Sequence, residues 1–110
     1  MAKNYIEELM DLIEKYKESG FEYGKPVEYL EFRNSMSREE MELEILSCVD
    51  LKYVGKQYVD EEKRYALYYV YSGSRGRTYV LRFTEKIKIV TVYPIGRMTL
   101  RKYKKVKFNK

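Results

Sequence analysis

The sequence predicts an α+β fold: two or three N-terminal helices packed on a three- to four-stranded antiparallel sheet, with a basic C-terminal helix or tail. Three observations predict it. Apolar residues recur at helical spacing through the first half of the chain. After Asp50 the period changes to two, and Tyr, Val and Ile dominate, residues that suit a pleated, half-buried surface. The links between the alternating stretches are short, which joins neighbouring strands as an antiparallel meander. A chain of 110 residues without a linker, repeat or low-complexity stretch is one domain, residues 1–110.

The elements follow in order. Ala2 to Ser19 reads as an amphipathic helix, with Ile6, Leu9, Met10, Ile13 and Tyr16 at helical spacing and Gly20 placed to end it. Pro26 suits the first turn of a second helix running to about Arg33, with Val27, Leu30 and Phe32 on its apolar side. A short extended segment is the alternative there. Ser37 to Cys48 is the clearest helix. Ser37 and Glu40 make a capping box, and Met36 and Met41 stand where a hydrophobic staple needs them. Met41, Ile45, Cys48 and Val49 form its apolar stripe, and Glu39, Glu42 and Glu44 read as a solvated face. Strands are expected at Leu51–Val59, Arg64–Tyr71, Arg77–Phe83 and Ile87–Tyr93, with Pro94-Ile95-Gly96 ending the last. Thr99 is placed to cap a short final helix to about Lys105, or the tail is extended.

Charge is divided sharply. Residues 1–50 carry 6 Lys/Arg and 13 Asp/Glu; residues 51–110 carry 16 and 4. Arg97 to Lys110 holds seven cations and no acid. The acidic half coincides with the expected helices and the basic half with the sheet and tail, which points to a polyanion partner on the sheet side. The chain has no histidine, which removes His-based triads and the commonest general base at neutral pH. With one cysteine, Cys48, a zinc site and an internal disulfide are excluded, and Cys48 reads as a small core residue. No metal site or cofactor is expected. No 18-residue apolar run and no signal-peptide core are present, so the expectation is a cytoplasmic protein without a membrane partner.

The candidate functional residues are cationic and aromatic. Arg97, Arg101, Lys102, Lys104 and Lys105 suit phosphate contacts, each of which releases counterions; the bland reading is a solubilising tail. Tyrosines and arginines mix on the strands, where rings can stack bases and guanidinium groups hold phosphates. Thirteen tyrosines in one small domain are nevertheless mostly packing residues. Arg82 alternates with Leu81 and Phe83, so it faces away from them, onto the open sheet face if those two meet the helices. Ser72-Gly73-Ser74-Arg75-Gly76 is a hairpin turn rather than a phosphate loop, because no helix follows it. Asp60, Glu61 and Glu62 cluster in a link beside Lys63 and Arg64 and do not make a metal-nuclease set.

With the elements placed, a resemblance emerges. Asn34-Ser35-Met36-Ser37-Arg38-Glu39-Glu40-Met41 resembles the opening of the second helix of BrnT-type toxins. Glu62-Lys63-Arg64-Tyr65-Ala66-Leu67 and Ser74-Arg75-Gly76-Arg77-Thr78-Tyr79-Val80 resemble their central hairpin, and Lys86-Ile87-Lys88-Ile89-Val90-Thr91-Val92 their last strand. Arg97-Met98-Thr99-Leu100-Arg101-Lys102-Tyr103 is similar to the run that follows it. A related small domain of unknown function with the same helix–helix–sheet pattern fits as well. The resemblance implies a RelE/ParE-like fold, a toxin that cleaves RNA, and an antitoxin protein over the basic face. By position it points to Arg97, Thr99, Arg101 and Tyr103, with Arg64 and Arg77 on the sheet; together with the reading of the residues themselves, the expected catalytic residues are Arg97, Arg101 and Tyr103, and the expected RNA-binding ones Arg64, Arg77, Arg82, Tyr93, Thr99, Lys102, Lys104 and Lys105. Tyr93 or Tyr103 would stack a base or assist proton transfer. The family's histidine before the second helix is replaced by Asn34-Ser35, so cleavage would rest on charge stabilisation and positioning.

Overall fold

A computed structural model describes residues 4–96. They form three α-helices and one five-stranded sheet, an α+β arrangement. The helices are α1 (Ile6–Tyr16), extended by one 3-10 turn at Lys17–Ser19, α2 (Val27–Asn34) and α3 (Arg38–Ser47). The strands are β1 (Phe21–Tyr23), β2 (Leu51–Val59), β3 (Glu62–Ser72), β4 (Arg75–Phe83) and β5 (Ile87–Gly96), in the spatial order β1-β5-β4-β3-β2.

The expected sheet is corrected in two ways. It has five strands rather than three or four, and it is mixed rather than antiparallel. The extra strand, β1, lies between α1 and α2 and pairs parallel to β5, Phe21 with Ile87 and Tyr23 with Ile89. Backbone bonds from Ile87 N to Gly20 O (3.0 Å) and from Gly24 N to Ile89 O (2.8 Å) flank it. Gly20 ends the α1 region at φ 91°, a conformation that a side chain would strain, and so redirects the chain into β1. The helices therefore do not all precede the strands.

The meander β2-β3-β4-β5 forms as its alternation predicts. Two of its three links are shorter than expected, because β3 extends further at both ends and β4 at its start. β5 continues through Pro94 to Gly96, with Pro94 opposite Arg77. Proline is tolerated there because β1 pairs with β5 only at residues 87–89, leaving that side of β5 without a strand neighbour at Pro94. The β2–β3 turn is two residues, Asp60 and Glu61, at φ 51° and 67°. This primed turn matches the strand twist but puts two non-glycine residues in the left-handed region.

The helices cover one face of the sheet. Leu9 and Ile13 of α1, Leu30 of α2, and Met41 and Ile45 of α3 meet Val54, Tyr65, Leu67, Tyr69, Tyr79, Leu81, Ile87, Ile89 and Val92. Alternation along β3 and β4 sends Tyr65, Leu67, Tyr69, Tyr71, Arg77, Tyr79, Leu81 and Phe83 to this face. Three expected apolar residues do not join it: Phe32 is 88% exposed, Val49 74% and Met10 48%. The capping box forms as read, with Glu40 N donating to Ser37 Oγ and Ser37 N to Glu40 Oε1. α3 ends at Cys48, a half-buried residue in the left-handed region whose thiol burial pushes upward in pKa. The start of α1 is tied to the outer edge of β2. Asn4 Oδ1 accepts from Val54 N (3.1 Å), and Tyr5 N donates to Val54 O (3.0 Å), which covers backbone groups that an edge strand leaves open.

Replacing Glu61 with glycine relieves one left-handed residue. Glu61→Gly is expected to raise stability by about 1 kcal/mol, read as an increased urea midpoint with an unchanged denaturant slope.

Candidate functional site

Tyrosine carries a large apolar ring and a hydroxyl that must find a partner when the ring is buried. Five tyrosines on or beside the helix-covered face meet that requirement through two helices. Tyr65 donates to the Glu8 carboxylate on α1, and Tyr23 to that of Glu42 on α3. Tyr71 and Tyr79 both donate to the Glu44 carboxylate, Tyr79 at 2.6 Å, and Tyr69 donates to the Glu44 carbonyl at 3.0 Å.

Glu44 is the centre of the densest polar cluster among the described residues. Arg77 Nη1 lies 3.5 Å from Glu44 Oε1 and 2.8 Å from the Tyr71 hydroxyl. The same guanidinium donates from Nε to Asn34 Oδ1 (3.2 Å) and from Nη2 to Asn34 O (3.4 Å). Asn34, itself buried, donates to Leu30 O and Val92 O. The side chains of Glu44 and Arg77 are 16% and 15% exposed. Glu44 therefore does not belong to a solvated face. It lies one turn from Met41 and from Cys48, on the helix side that meets the sheet.

A second cluster sits over β2. Lys56 Nζ is 2.8 Å from Glu8 Oε2 and 4.5 Å from the centre of the Tyr5 ring. The Lys56 ammonium and the Tyr65 hydroxyl hold the Glu8 carboxyl below the usual carboxylate range, and Glu8 in turn raises Lys56. Beside it, α1, the β2–β3 turn and the end of β4 enclose a cleft of about 440 Å³ lined by Glu8, Leu12, Tyr16, Glu62, Arg82 and Phe83. Its Glu8 and Glu62 carboxylates and the Arg82 guanidinium are all engaged in ion pairs.

The other sheet face carries Arg64 and Arg82, brought together by one acid. Glu62 lies 3.1 Å from Arg64 Nη2 and 3.3 Å from Arg82 Nη2. The middle of this face is closed: Ala66, Thr78 and Val80 are 2%, 0% and 9% exposed. Arg64 Nε and Thr78 Oγ1 are buried without a hydrogen-bond partner among the described residues. Tyr93 is half-buried there, with the Arg33 guanidinium 5.4 Å from its ring centre.

The structure thus groups Arg64 with Arg82 and separates both from Arg77, which projects to the helix-covered face. Arg97, Thr99, Arg101, Lys102, Tyr103, Lys104 and Lys105, and the expected final helix, lie outside the described residues. Sequence reasoning missed Glu44, Glu8, Asn34 and Lys56. For Glu44 the available signal was its spacing from Met41 and Cys48. Among the described residues, no three His, Cys, Asp or Glu side chains are grouped to hold a metal ion, and no helix is long and apolar enough to cross a membrane.

Pairing changes the charge picture. Residues 4–96 carry 14 Lys/Arg and 17 Asp/Glu, a net of −3, so the chain's cationic excess lies almost wholly in residues 97–110. Part of the contrast between halves is met inside the fold, where Glu8 pairs with Lys56 and Glu44 with Arg77.

Two outcomes are expected. Glu44→Ala leaves a buried guanidinium and two tyrosine hydroxyls without their acceptor, and should cost roughly 3 kcal/mol by urea denaturation. Glu44→Leu combined with Arg77→Leu should recover the part owed to the stranded guanidinium but not the part owed to the Tyr71 and Tyr79 hydroxyls, which still lack an acceptor. Burial, reinforced by the paired carboxylates, also raises the pKa of Tyr23, Tyr65, Tyr71 and Tyr79, and burial raises that of Tyr69. A raised pKa favours the protonated phenol in the fold. Its stabilising effect is complete below the unfolded tyrosine value of about 10 and is lost as pH rises past it. The tyrosinate absorbance of these five should therefore appear late and steeply, together with loss of far-UV circular dichroism.

Compared with known proteins, the chain matches no family model, no curated protein and no solved structure.

Proposed function

We propose that the chain is an RNA-binding protein whose attraction for the polyanion is concentrated in Arg97–Lys110, and whose folded body presents that run rather than adding charge to it. One observation carries this reading. The body is net −3, while the 14-residue run holds seven cations and no acid. The body's candidate arginines also favour binding over chemistry. Arg77 is committed to Glu44, and Arg64 and Arg82 share Glu62. Holding phosphate through them would require breaking those pairs. Single-stranded RNA is the preferred polyanion, because Tyr103 and Phe108 interleave with the cations and can stack on unpaired bases.

A metal-independent endoribonuclease of the toxin type is the second reading. It is favoured by the spacing of Arg97, Arg101 and Tyr103, which supplies two cations and a phenol within seven residues. Its reaction would depend on charge stabilisation and positioning of the 2′-OH, with no histidine to act as base.

Seven phosphate contacts on a single strand give a slope of log affinity against log salt of about −5. The affinity for single-stranded RNA should therefore fall about a thousandfold between 50 and 200 mM salt. Deleting 104–110 together with Arg97→Ala and Arg101→Ala should abolish binding; unchanged binding would overturn the proposal. RNA cut without added metal by the intact chain, and left whole by the Arg97→Ala/Arg101→Ala variant, would establish the second reading in its place.

A further inference from the structure

A hydrophobic strip lies on the outer side of the helical layer, away from the sheet. Leu43 is 65% exposed, Leu46 40% and Val49 74%. Leu43 and Leu46 lie on the side of α3 opposite buried Met41 and Ile45, and Val49 follows just beyond the helix end. Single exposed apolar residues need no explanation, but Leu43 and Val49 border a groove. The groove measures about 270 Å³ and is lined by Met36, Glu40, Leu43, Ser47, Val49 and Asp50, with Glu44 at its side. It is large enough for one or two apolar side chains.

Its rim is acidic: Glu40 and Asp50 line it, and no basic residue does. Arg38 is bound up with Glu39 at 3.8 Å, and the last turn of α3 has no basic residue to meet the helix dipole. An apolar floor within a negative rim fits a partner with an apolar edge and cations on either side of it.

A two-fold dimer through this surface would set the same acidic rim against itself. A head-to-tail contact would have to seat a cationic stretch of one copy in the groove of another, and the densest such stretch, Arg97–Lys110, is the one proposed to hold RNA, so RNA would compete with it.

We infer that the groove beside α3 is a docking site for a cationic amphipathic helix of another protein, whose apolar residues seat against Met36, Leu43 and Val49 while its lysines or arginines meet Glu40 and Asp50. This site is separate from the RNA-binding run, so neither depends on the other.

The test uses the intact chain and a synthetic helical peptide of leucine and lysine, with the leucines at i, i+3, i+4 and i+7. Controls are a scrambled peptide of the same composition and a version with glutamate for lysine. Backbone amide shifts should change at Met36, Leu43, Ser47 and Val49. Leu43→Ser/Val49→Ser, at positions exposed enough to leave the fold intact by circular dichroism, should weaken the peptide by about tenfold or more. The scrambled peptide should bind more weakly, and the glutamate version not at all. The proposal is overturned by no binding, by equal binding of the scrambled peptide, by affinity indifferent to the double variant, or by shifts mapping elsewhere. A concentration-dependent dimer in sedimentation that the double variant abolishes would assign the groove to a second copy and overturn it as well.

Discussion

Glu44 holds together what the core alone leaves separate. Its side chain comes from the middle of α3 and reaches into a space bounded by β3 and β4, where a charge is tolerable only if it is matched and hydrogen-bonded. Arg77 supplies the opposite charge, and Tyr71 and Tyr79 supply the donors. Arg77 then reaches Asn34, so the same set of bonds fixes the end of α2 and, through the Asn34 amide, the backbone of β5. Apolar contact with the sheet is compatible with small slides of either helix. A carboxylate shared by two strands is not, because moving it leaves polar groups stranded. Buried polar clusters of this kind confer position more than strength.

The same logic explains the abundance of tyrosine. A face built from Phe and Leu would need no acids on the helices above it. A face built from Tyr65, Tyr69, Tyr71 and Tyr79 needs acceptors at the level of the hydroxyls, and Glu8 and Glu44 provide them. The acidic character of the helical half and the tyrosine content of the sheet half are thus two sides of one arrangement. A charge contrast that looks like an advertisement for an external partner is, over residues 4–96, partly an internal adhesive.

The sequence was most legible where the cause is local. The capping box of α3 needs only Ser37 and Glu40 three residues apart, and the strands of the meander need only alternation and a turn. β1 was not legible, because three residues show no period and its partner lies 66 positions away. Pro94 read as a stop because its tolerance depends on which side of β5 lacks a neighbour, a property of the assembled sheet. Glu44 read as a surface acid because charge outweighed its placement beside Met41 and Ile45. Arg77 and Arg82 read as one class of residue. Their separation onto opposite faces follows from alternation, and it decided their partners. For the basic run, composition spoke more clearly than pattern: the count over residues 97–110 locates the charge that a count by halves spreads over the strands.

β5 is the last strand of the described chain, yet two early segments clasp it. β1 hydrogen-bonds along its beginning, and Asn34 reaches its middle at Val92. Both are made long before β5 during synthesis. While β5 is still inside the ribosome, β1 has no partner strand, Asn34 lacks its Val92 acceptor and α2 has little of its sheet to rest on. Closing loops of this length carries an entropic cost and slows folding. The nascent chain is therefore committed to wait: its N-terminal segments cannot take their final places until the fold's last strand has emerged, so assembly comes in one late, cooperative step.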